Sequence, residues 1–118
     1  MMSEAQSTPD GQERTASDLT AFQQNILTVL SEKPQYGLAI KRNLEAYYDE
    51  DVNHGRLYPN LDDLVERGLV AKSELDKRTN EYDLTEEGYD LLLGDLKWRA
   101  SKLSANNDRA RDLEALVE

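Results

Sequence analysis

The fold is decided by residues 53–70, which read NHGRLYPNLDDLVERGLV. Apolar residues recur there at three- and four-residue spacing, which predicts an amphipathic helix with one buried stripe. The stripe consists of Leu57, Leu61, Leu64 and Val65. Asn53 is a good N-cap for this helix. Gly68 predicts its end, because glycine readily adopts the left-handed conformation that closes helices. Leu69 and Val70 then begin a strand.

The residues at the start of this helix have the chemistry that reads a DNA major groove. An arginine can hold guanine O6 and N7 together, and recognition helices present such side chains near their N-termini. We therefore interpret the stretch as a recognition helix, with Arg56 as the strongest candidate for a base contact. The candidate DNA contacts within it are Asn53, His54, Gly55, Arg56, Tyr58 and Asn60.

Structural alternatives remain for several of these residues. Arg56 can simply pair with a nearby acid, and Tyr58 can bury its ring in the core. Asn53 can serve only as the cap. His54 is the sole histidine, and a single histidine in a chain without cysteine predicts no transition-metal site.

Pro59 conflicts with a helix over the whole stretch. A proline well inside a helix removes a hydrogen bond and costs about 3 kcal/mol. We therefore expect regular helix to begin near Gly55 or Arg56, so that Pro59 falls close to the first turn.

Two further helices are predicted upstream. Ser17 or Asp18 can cap the first, over residues 19–31, and Pro34 follows its end. The second runs from Tyr36 to Tyr48 with its apolar positions at Leu38, Ile40, Leu44, Tyr47 and Tyr48. Two short helices joined by a brief turn make a helix-turn-helix. Candidates to bind phosphate through side chains and free N–H groups at the start of the second helix are Tyr36, Gly37 and Lys41.

Residues 69–75 and 81–84 predict two strands joined by the polar residues 76–80. A hairpin directly after a recognition helix is the wing of a winged helix. Lys77 and Arg78 at its tip can reach the DNA backbone or minor groove. The alternative is a solvated turn whose charges keep an edge strand soluble.

Thr85 caps a long last helix with a heptad-like apolar stripe. The stripe contains Tyr89, Leu96, Leu103, Ala110 and Val117 at seven-residue spacing, with Leu92, Leu93, Ala100 and Leu113 beside them. A winged helix does not need this stripe to close its core, so we expect it to pack against a second copy, although it can instead fold back on its own domain. The expected dimer interface is Tyr89, Leu92, Leu93, Leu96, Trp98, Ala100 and Leu103. Residues 106–108 are where the helix can break.

With 118 residues, the chain is expected to form one small domain. Its expected parts are a flexible tail (1–16), a winged helix-turn-helix DNA-binding domain (17–84) and a C-terminal dimerisation helix (85–118). The fold class is mainly α with a small β-hairpin (α+β). The chain has no cysteine, no membrane-length apolar run and no signal segment, so we expect a cytoplasmic protein.

The net charge of −10 runs against the usual basic character of DNA-binding proteins. The excess of acid, however, lies outside the proposed contacts. Residues 33–60 carry four basic against four acidic side chains, and residues 69–82 carry three against three. Such an acidic surplus is typical of proteins adapted to molar salt, where a Debye length of about 3 Å screens like charges. DNA binding would then depend on hydrogen bonds and shape more than on counterion release.

Four motifs resemble the PadR-like family of winged-helix transcription regulators, over about residues 20–100. They are YGLAI at 36–40, GRLYPNL at 55–61, ERGLV at 66–70 and YDLTEEG at 82–88. The acidic composition resembles that of a haloarchaeal member. This resemblance implies a dimer through the C-terminal helix, a palindromic operator, usually repression, and for a haloarchaeal member a role in a stress response.

The sequence therefore predicts a homodimeric DNA-binding transcription regulator. No phosphate loop, metal-ligand cluster or nucleophile–base arrangement is visible, so we expect no enzyme activity, no cofactor and no metal. The expected partners are double-stranded DNA and a second copy of the chain, with no membrane and no small-molecule effector. The alternative is a winged-helix adaptor that binds other proteins, because fold alone does not choose between the two roles.

Overall fold

The computed structural model describes residues 18–116. The expected tail (1–16), Ser17 and Val117 lie outside this range. In chain order the elements are α1 (Ala21–Leu30), β1 (Gln35–Tyr36), α2 (Gly37–Tyr48), α3 (His54–Glu66), β2 (Val70–Asp76), β3 (Thr79–Leu84), α4 (Glu86–Ser104) and α5 (Ala110–Ala115). Among these, no helix combines the length and apolar character needed to cross a bilayer.

A single core forms where α1, α2, α3 and the sheet meet. The predicted stripe of α3 is confirmed, since Leu57, Leu61 and Leu64 are fully buried. The other buried apolar residues are Leu19, Phe22, Ile26, Leu27, Leu30, Ile40, Leu44, Val52, Leu69, Val70 and Tyr82. Two apolar assignments in α2 were wrong, because Leu38 and Tyr47 point to solvent and are 47% and 73% exposed.

The cap of α1 is Thr20, not Asp18. The Thr20 hydroxyl accepts a hydrogen bond from the Gln23 backbone N–H at 3.1 Å, and the Gln23 side chain accepts one from the Thr20 N–H at 3.3 Å. This capping box satisfies two N–H groups that have no partner inside the helix, which explains why the helix begins there. The predicted caps Asn53 and Thr85 are confirmed for α3 and α4.

Recognition helix α3 begins at His54, so the expectation of a later start was wrong and Pro59 lies well inside the helix. Proline removes the hydrogen bond to the Gly55 carbonyl, but Gly55 and Pro59 are both exposed and solvent can replace that bond. The neighbouring Arg56 carbonyl has an additional hydrogen bond, which the Asn60 side-chain amide donates at 2.7 Å. Gly68 ends the helix region with φ 80°, as predicted.

The antiparallel sheet has the strand order β1-β3-β2. The wing hairpin is confirmed, but its predicted bounds were too short. The strands reach Asp76 and start again at Thr79, which leaves only Lys77 and Arg78 at the tip. The Asp76 carboxylate makes this tight tip possible by accepting a hydrogen bond from the Arg78 N–H at 2.9 Å. Strand β1 was not predicted, because two residues carry no detectable alternation.

Helix α4 starts against the winged domain and then leaves it. Gly88 is buried, and a Cβ at that position would lie 2.7 Å from a Leu84 methyl carbon and still closer to the Leu69 carbonyl oxygen. The half-buried Leu91 and Leu92 also pack against the core. Residues 105–109 interrupt the helix, so α5 is a separate short helix.

Candidate DNA-binding surface

Arg56 lies exposed in the first turn of α3. Its guanidinium carbon sits 3.9 Å from the centre of the Phe22 ring on α1. Within residues 18–116, Arg56 makes no ion pair, so the alternative of a simple surface ion pair has no partner there. An arginine with its charge unpaired at the open end of a recognition helix can donate hydrogen bonds to a base or a phosphate.

Tyr58 packs between α3 and the start of α2. Its side chain is half-buried against the core, and its ring stacks on that of His54 with centroids 5.6 Å apart. A Cβ on Gly37 would lie 2.8 Å from Cε1 and 2.9 Å from Cζ of Tyr58. Gly37 is therefore required for space, because its missing side chain lets the phenol ring reach the N-terminus of α2.

Asn53, the N-cap of α3, and Asn60 within the helix both form hydrogen bonds inside the protein. The Asn53 side chain accepts a hydrogen bond from the Gly55 N–H as the N-cap. The Asn60 side chain donates to the Arg56 carbonyl and accepts from the Gln23 amide at 3.1 Å. In this arrangement both residues hold the shape of α3.

Lys41 is also engaged within the protein. Its ammonium lies 2.8 Å from a Glu45 carboxylate oxygen, and that oxygen also accepts a hydrogen bond from the Val52 N–H at 2.9 Å. The hydrogen bond from Lys41, followed by that from Val52, lowers the pKa of Glu45 below its ordinary value. Lys41 thus helps to fix the loop that leads into Asn53 and α3.

An open groove of about 540 Å³ separates the start of α2 from the wing. It brings together four of the predicted contacts, Tyr36, Gly37, Tyr58 and Arg78. Six of its lining residues were not predicted as contacts, and two of these, Leu38 and Leu75, are apolar and about half exposed. Leu38 was mistaken for a core position because it sits in an apolar helix stretch. The sequence did not indicate that Leu75 is exposed, because an apolar residue at the end of a strand is usually buried.

The floor of this groove is Tyr82, which is 2% exposed. Burial, followed by the nearby Asp62 carboxylate and Tyr58, raises the pKa of the Tyr82 hydroxyl above its ordinary value. The groove lining contains both Asp76 and Arg78, and nearby Asp62 lies 3.9 Å from Lys72 in a loose ion pair. The surface is therefore of mixed charge rather than strongly basic.

The apolar stripe of α4 lies open in the single chain. Tyr89, Leu96 and Leu103 are 52%, 59% and 52% exposed. Residues seven apart on a helix lie within about 20° of each other, so these three share one face. Trp98 comes two residues after Leu96, about 200° around the helix, and therefore lies on the opposite face. There it is 59% exposed, with the Lys102 ammonium 5.9 Å from its ring.

Three helices around a helix-turn-helix, followed by an antiparallel hairpin, define a winged-helix protein. The sequence model described as the transcriptional regulator PadR-like family matches residues 26–93, more than half of the chain. The chain belongs to this family. A search of curated protein sequences finds no match.

Comparison with solved structures also finds transcription regulators. A structure of a complex of Halobacterium salinarum RosR is 68% identical, covers 86% of this chain and 91% of that chain, and superposes with a TM-score of 0.83. RosR grown from sodium bromide matches equally well, covering 86% of this chain and 93% of that one. A transcriptional regulator from Clostridium thermocellum is 27% identical, with 72% and 89% covered and a TM-score of 0.57.

These similarities confirm the predicted family and the predicted fold class. The protein is a DNA-binding transcription regulator of the PadR-like family, similar to a regulator from a halophile. Family membership also favours a regulator over an enzyme and over the adaptor alternative.

Proposed function

We propose that the protein is a homodimeric, sequence-specific regulator that binds a palindromic operator through the first turns of α3. The observation that carries this proposal is Arg56, which is exposed, makes no ion pair within residues 18–116 and lies at the open end of the recognition helix. We expect repression as the usual outcome of such binding, and a role in a stress response.

In this proposal Arg56 reads a guanine edge, since two of its N–H groups can donate to O6 and N7 together. His54 and Gly55 lie beside it in the same exposed turn. The phosphate contacts come from Tyr36 and the wing-tip residues Lys77 and Arg78. Gly37 is buried against the Tyr58 ring, so we assign it a role in the shape of the surface rather than a direct contact. We assign Asn53, Asn60 and Lys41 a supporting role, because each already bonds to a neighbouring protein group.

The second copy binds through the α4 stripe in this proposal. Its exposed apolar side chains are Tyr89, Leu96 and Leu103, with the half-buried Leu93 and Ala100 on the same face. Leu92 packs toward the core, so we place it at the edge of this seam. Trp98 lies on the opposite face of α4 and therefore outside the seam. The two recognition helices of the dimer are expected about 34 Å apart, which is one turn of duplex DNA.

The proposed contact segments carry no net charge, so few counterions would be released on binding. We therefore propose that binding persists in molar salt, as suits a chain 68% identical to a regulator from a halophile. A regulator that acts on chromosomal DNA is expected in the cytoplasm.

The test begins with duplexes selected from a random pool by the wild-type protein in molar potassium chloride. Gel-shift titrations then compare the selected duplex with its single-base-pair variants. Arg56→Ala should erase the preference at one base pair in each half-site, worth about 1–3 kcal/mol. Arg111→Ala on α5 is the control, because it removes an equal charge from an exposed position outside the proposed DNA contacts.

Two results would contradict the proposal. One is an unchanged base preference in Arg56→Ala, which would exclude readout by that residue. The other is a steep loss of affinity between low and molar salt, which would show that counterion release dominates binding.

A further inference from the structure

The Arg56 guanidinium is the outer layer of a three-part stack. Beneath it lies the Phe22 ring, 3.9 Å away. The Phe22 ring in turn stacks with the ring of Tyr48, with centroids 6.2 Å apart and planes inclined by 18°. The Tyr48 hydroxyl accepts a hydrogen bond from the Asn25 amide at 2.8 Å. The stack therefore joins the ends of α1, α2 and α3 at the side chain proposed to read a base.

The backbone of Arg56 is held by the residue next to Phe22. Gln23 is 5% exposed, and its amide donates to Asn60 at 3.1 Å and to Asp63 at 2.9 Å. Asn60 in turn donates to the Arg56 carbonyl at 2.7 Å. Two adjacent residues of α1 thus restrain both ends of Arg56, the side chain through Phe22 and the main chain through Gln23 and Asn60.

This arrangement suits base readout for two physical reasons. A guanidinium over a buried aromatic face gains a cation–π attraction, and Phe22 is 4% exposed, so its ring cannot turn away. A guanidinium held over a ring can still donate hydrogen bonds from its edge, since its N–H groups lie in its own plane. A side chain held in its binding conformation loses less rotamer entropy on contact with DNA.

We propose that Phe22 is a positioning residue for sequence recognition, which orients the Arg56 guanidinium toward the base edge without touching DNA itself. The inference rests on the proposed function, because it requires that Arg56 reads a base. It goes further by assigning part of the sequence specificity to a core residue of α1, outside the helix-turn-helix.

The test is a double-mutant cycle of Phe22→Leu and Arg56→Ala. Leucine keeps the site apolar and removes the aromatic face. Each variant is titrated against the duplex selected by the wild-type protein and against its single-base-pair variants, and thermal unfolding reports the folded fraction. Phe22→Leu should bind the selected duplex about fivefold more weakly, while the duplex altered at the base pair read by Arg56 should be bound as by the wild type. In the Arg56→Ala background the same substitution should have no further effect on DNA binding.

The outcomes separate the two proposals. If Arg56→Ala lowers the base preference and Phe22→Leu does not, or if the two effects add, Phe22 is only a core residue and the inference is overturned. If neither variant changes the preference, the readout by Arg56 fails and the inference fails with it.

A measurement on the unaltered protein covers the case in which Phe22→Leu does not fold. Because the guanidinium carbon lies 3.9 Å from the ring centre, the Arg56 Nε–H proton should show an upfield ring-current shift in the NMR spectrum. This shift should persist when the selected duplex is added. A shift like that of a free arginine, either before or after the duplex is added, would overturn the positioning role.

Discussion

The winged domain and the α4 helix differ in how completely they bury their own apolar side chains. The winged domain contains every buried large apolar residue found among residues 18–116. Helix α4 has only Gly88 buried, and it exposes more than half of Tyr89, Leu96, Trp98 and Leu103. Tyr89, Leu96 and Leu103 share one face, and Trp98 lies on the opposite one. An exposed apolar face of this kind is unusual for a monomer, and it is the face assigned to the proposed dimer.

This difference shows that the winged domain buries its apolar side chains within one chain, whereas the apolar face of α4 needs a second molecule to cover it. The core of the winged domain is closed by its own chain, so the shape of the DNA-binding surface is set within one copy. The geometry between two recognition helices is not set there. In the proposed dimer it depends on α4, and therefore on the short contact between Gly88 and the end of the winged domain.

The largest effect is expected from charging the exposed α4 stripe. Leu96→Glu combined with Leu103→Glu places four carboxylates in the proposed seam of a dimer, which should yield monomers by light scattering. Affinity for the selected duplex should fall on the order of 100-fold, because the two half-sites would be bound independently. Trp98→Gln is the matched control on the opposite face and should leave the dimer intact. A dimer that survives both glutamates would refute the assigned seam.

A smaller effect is expected at the joint between the two regions. Gly88→Ala would press a methyl group against the Leu69 carbonyl oxygen, which belongs to the backbone and cannot turn aside. The free energy of unfolding should drop by about 1–3 kcal/mol. Gly94→Ala on the same helix meets nothing within 4 Å and should raise helix stability by up to about 1 kcal/mol. Equal thermal shifts for the two variants would show that Gly88 is not a packing requirement.

Within the winged domain, Gly37→Ala should displace the Tyr58 ring from the start of α2. We expect a loss of roughly 1 kcal/mol of stability and weaker binding of the selected duplex, because the groove wall moves. Adding Tyr58→Leu should restore the stability, since the shorter side chain removes the clash. Chemical denaturation measures both variants. A Gly37→Ala protein as stable as wild type would contradict the packing role.

The smallest effect concerns alkaline pH. The pKa of Tyr82 is raised in the folded protein, chiefly by burial. Above the ordinary tyrosine pKa of about 10, the unfolded chain loses this proton while the folded chain keeps it, so stability falls as the pH rises. Tyr82→Phe should reduce the fall in the free energy of unfolding above pH 10. Denaturation curves recorded at a series of pH values measure this quantity. Identical slopes for wild type and variant would exclude a contribution from Tyr82.

Much of the fold was predictable because it follows local rules. The leucine spacing of α3, the caps Asn53 and Thr85, and the left-handed Gly68 each depend on residues within one turn of the chain. The predicted boundaries were wrong where a further side-chain hydrogen bond sets the end of the element. Thr20 starts α1 because Gln23 completes a capping box, and the wing closes more tightly than expected because Asp76 accepts from the Arg78 N–H.

The candidate site was predictable in its residue types and less so in their roles. Arg56 was identified from its chemistry and position, but nothing in the sequence indicates that its guanidinium lies on Phe22, 34 positions earlier. Asn60 and Lys41 have side chains that can bind DNA. In the structure, however, Asn60 is hydrogen-bonded to Gln23 and Lys41 is paired with Glu45. Leu38 and Leu75 escaped notice because their exposure depends on the groove between two distant elements.

The sequence by itself determined the helices, the wing and the family, because periodicity, caps and motifs are properties of neighbouring residues. Only the tertiary structure decided which side chains meet across α1, α2 and α3, and which face of α4 stays open. The physical reason is that hydrogen bonds, stacking and burial act over a few ångströms in space, between residues that can be far apart along the chain.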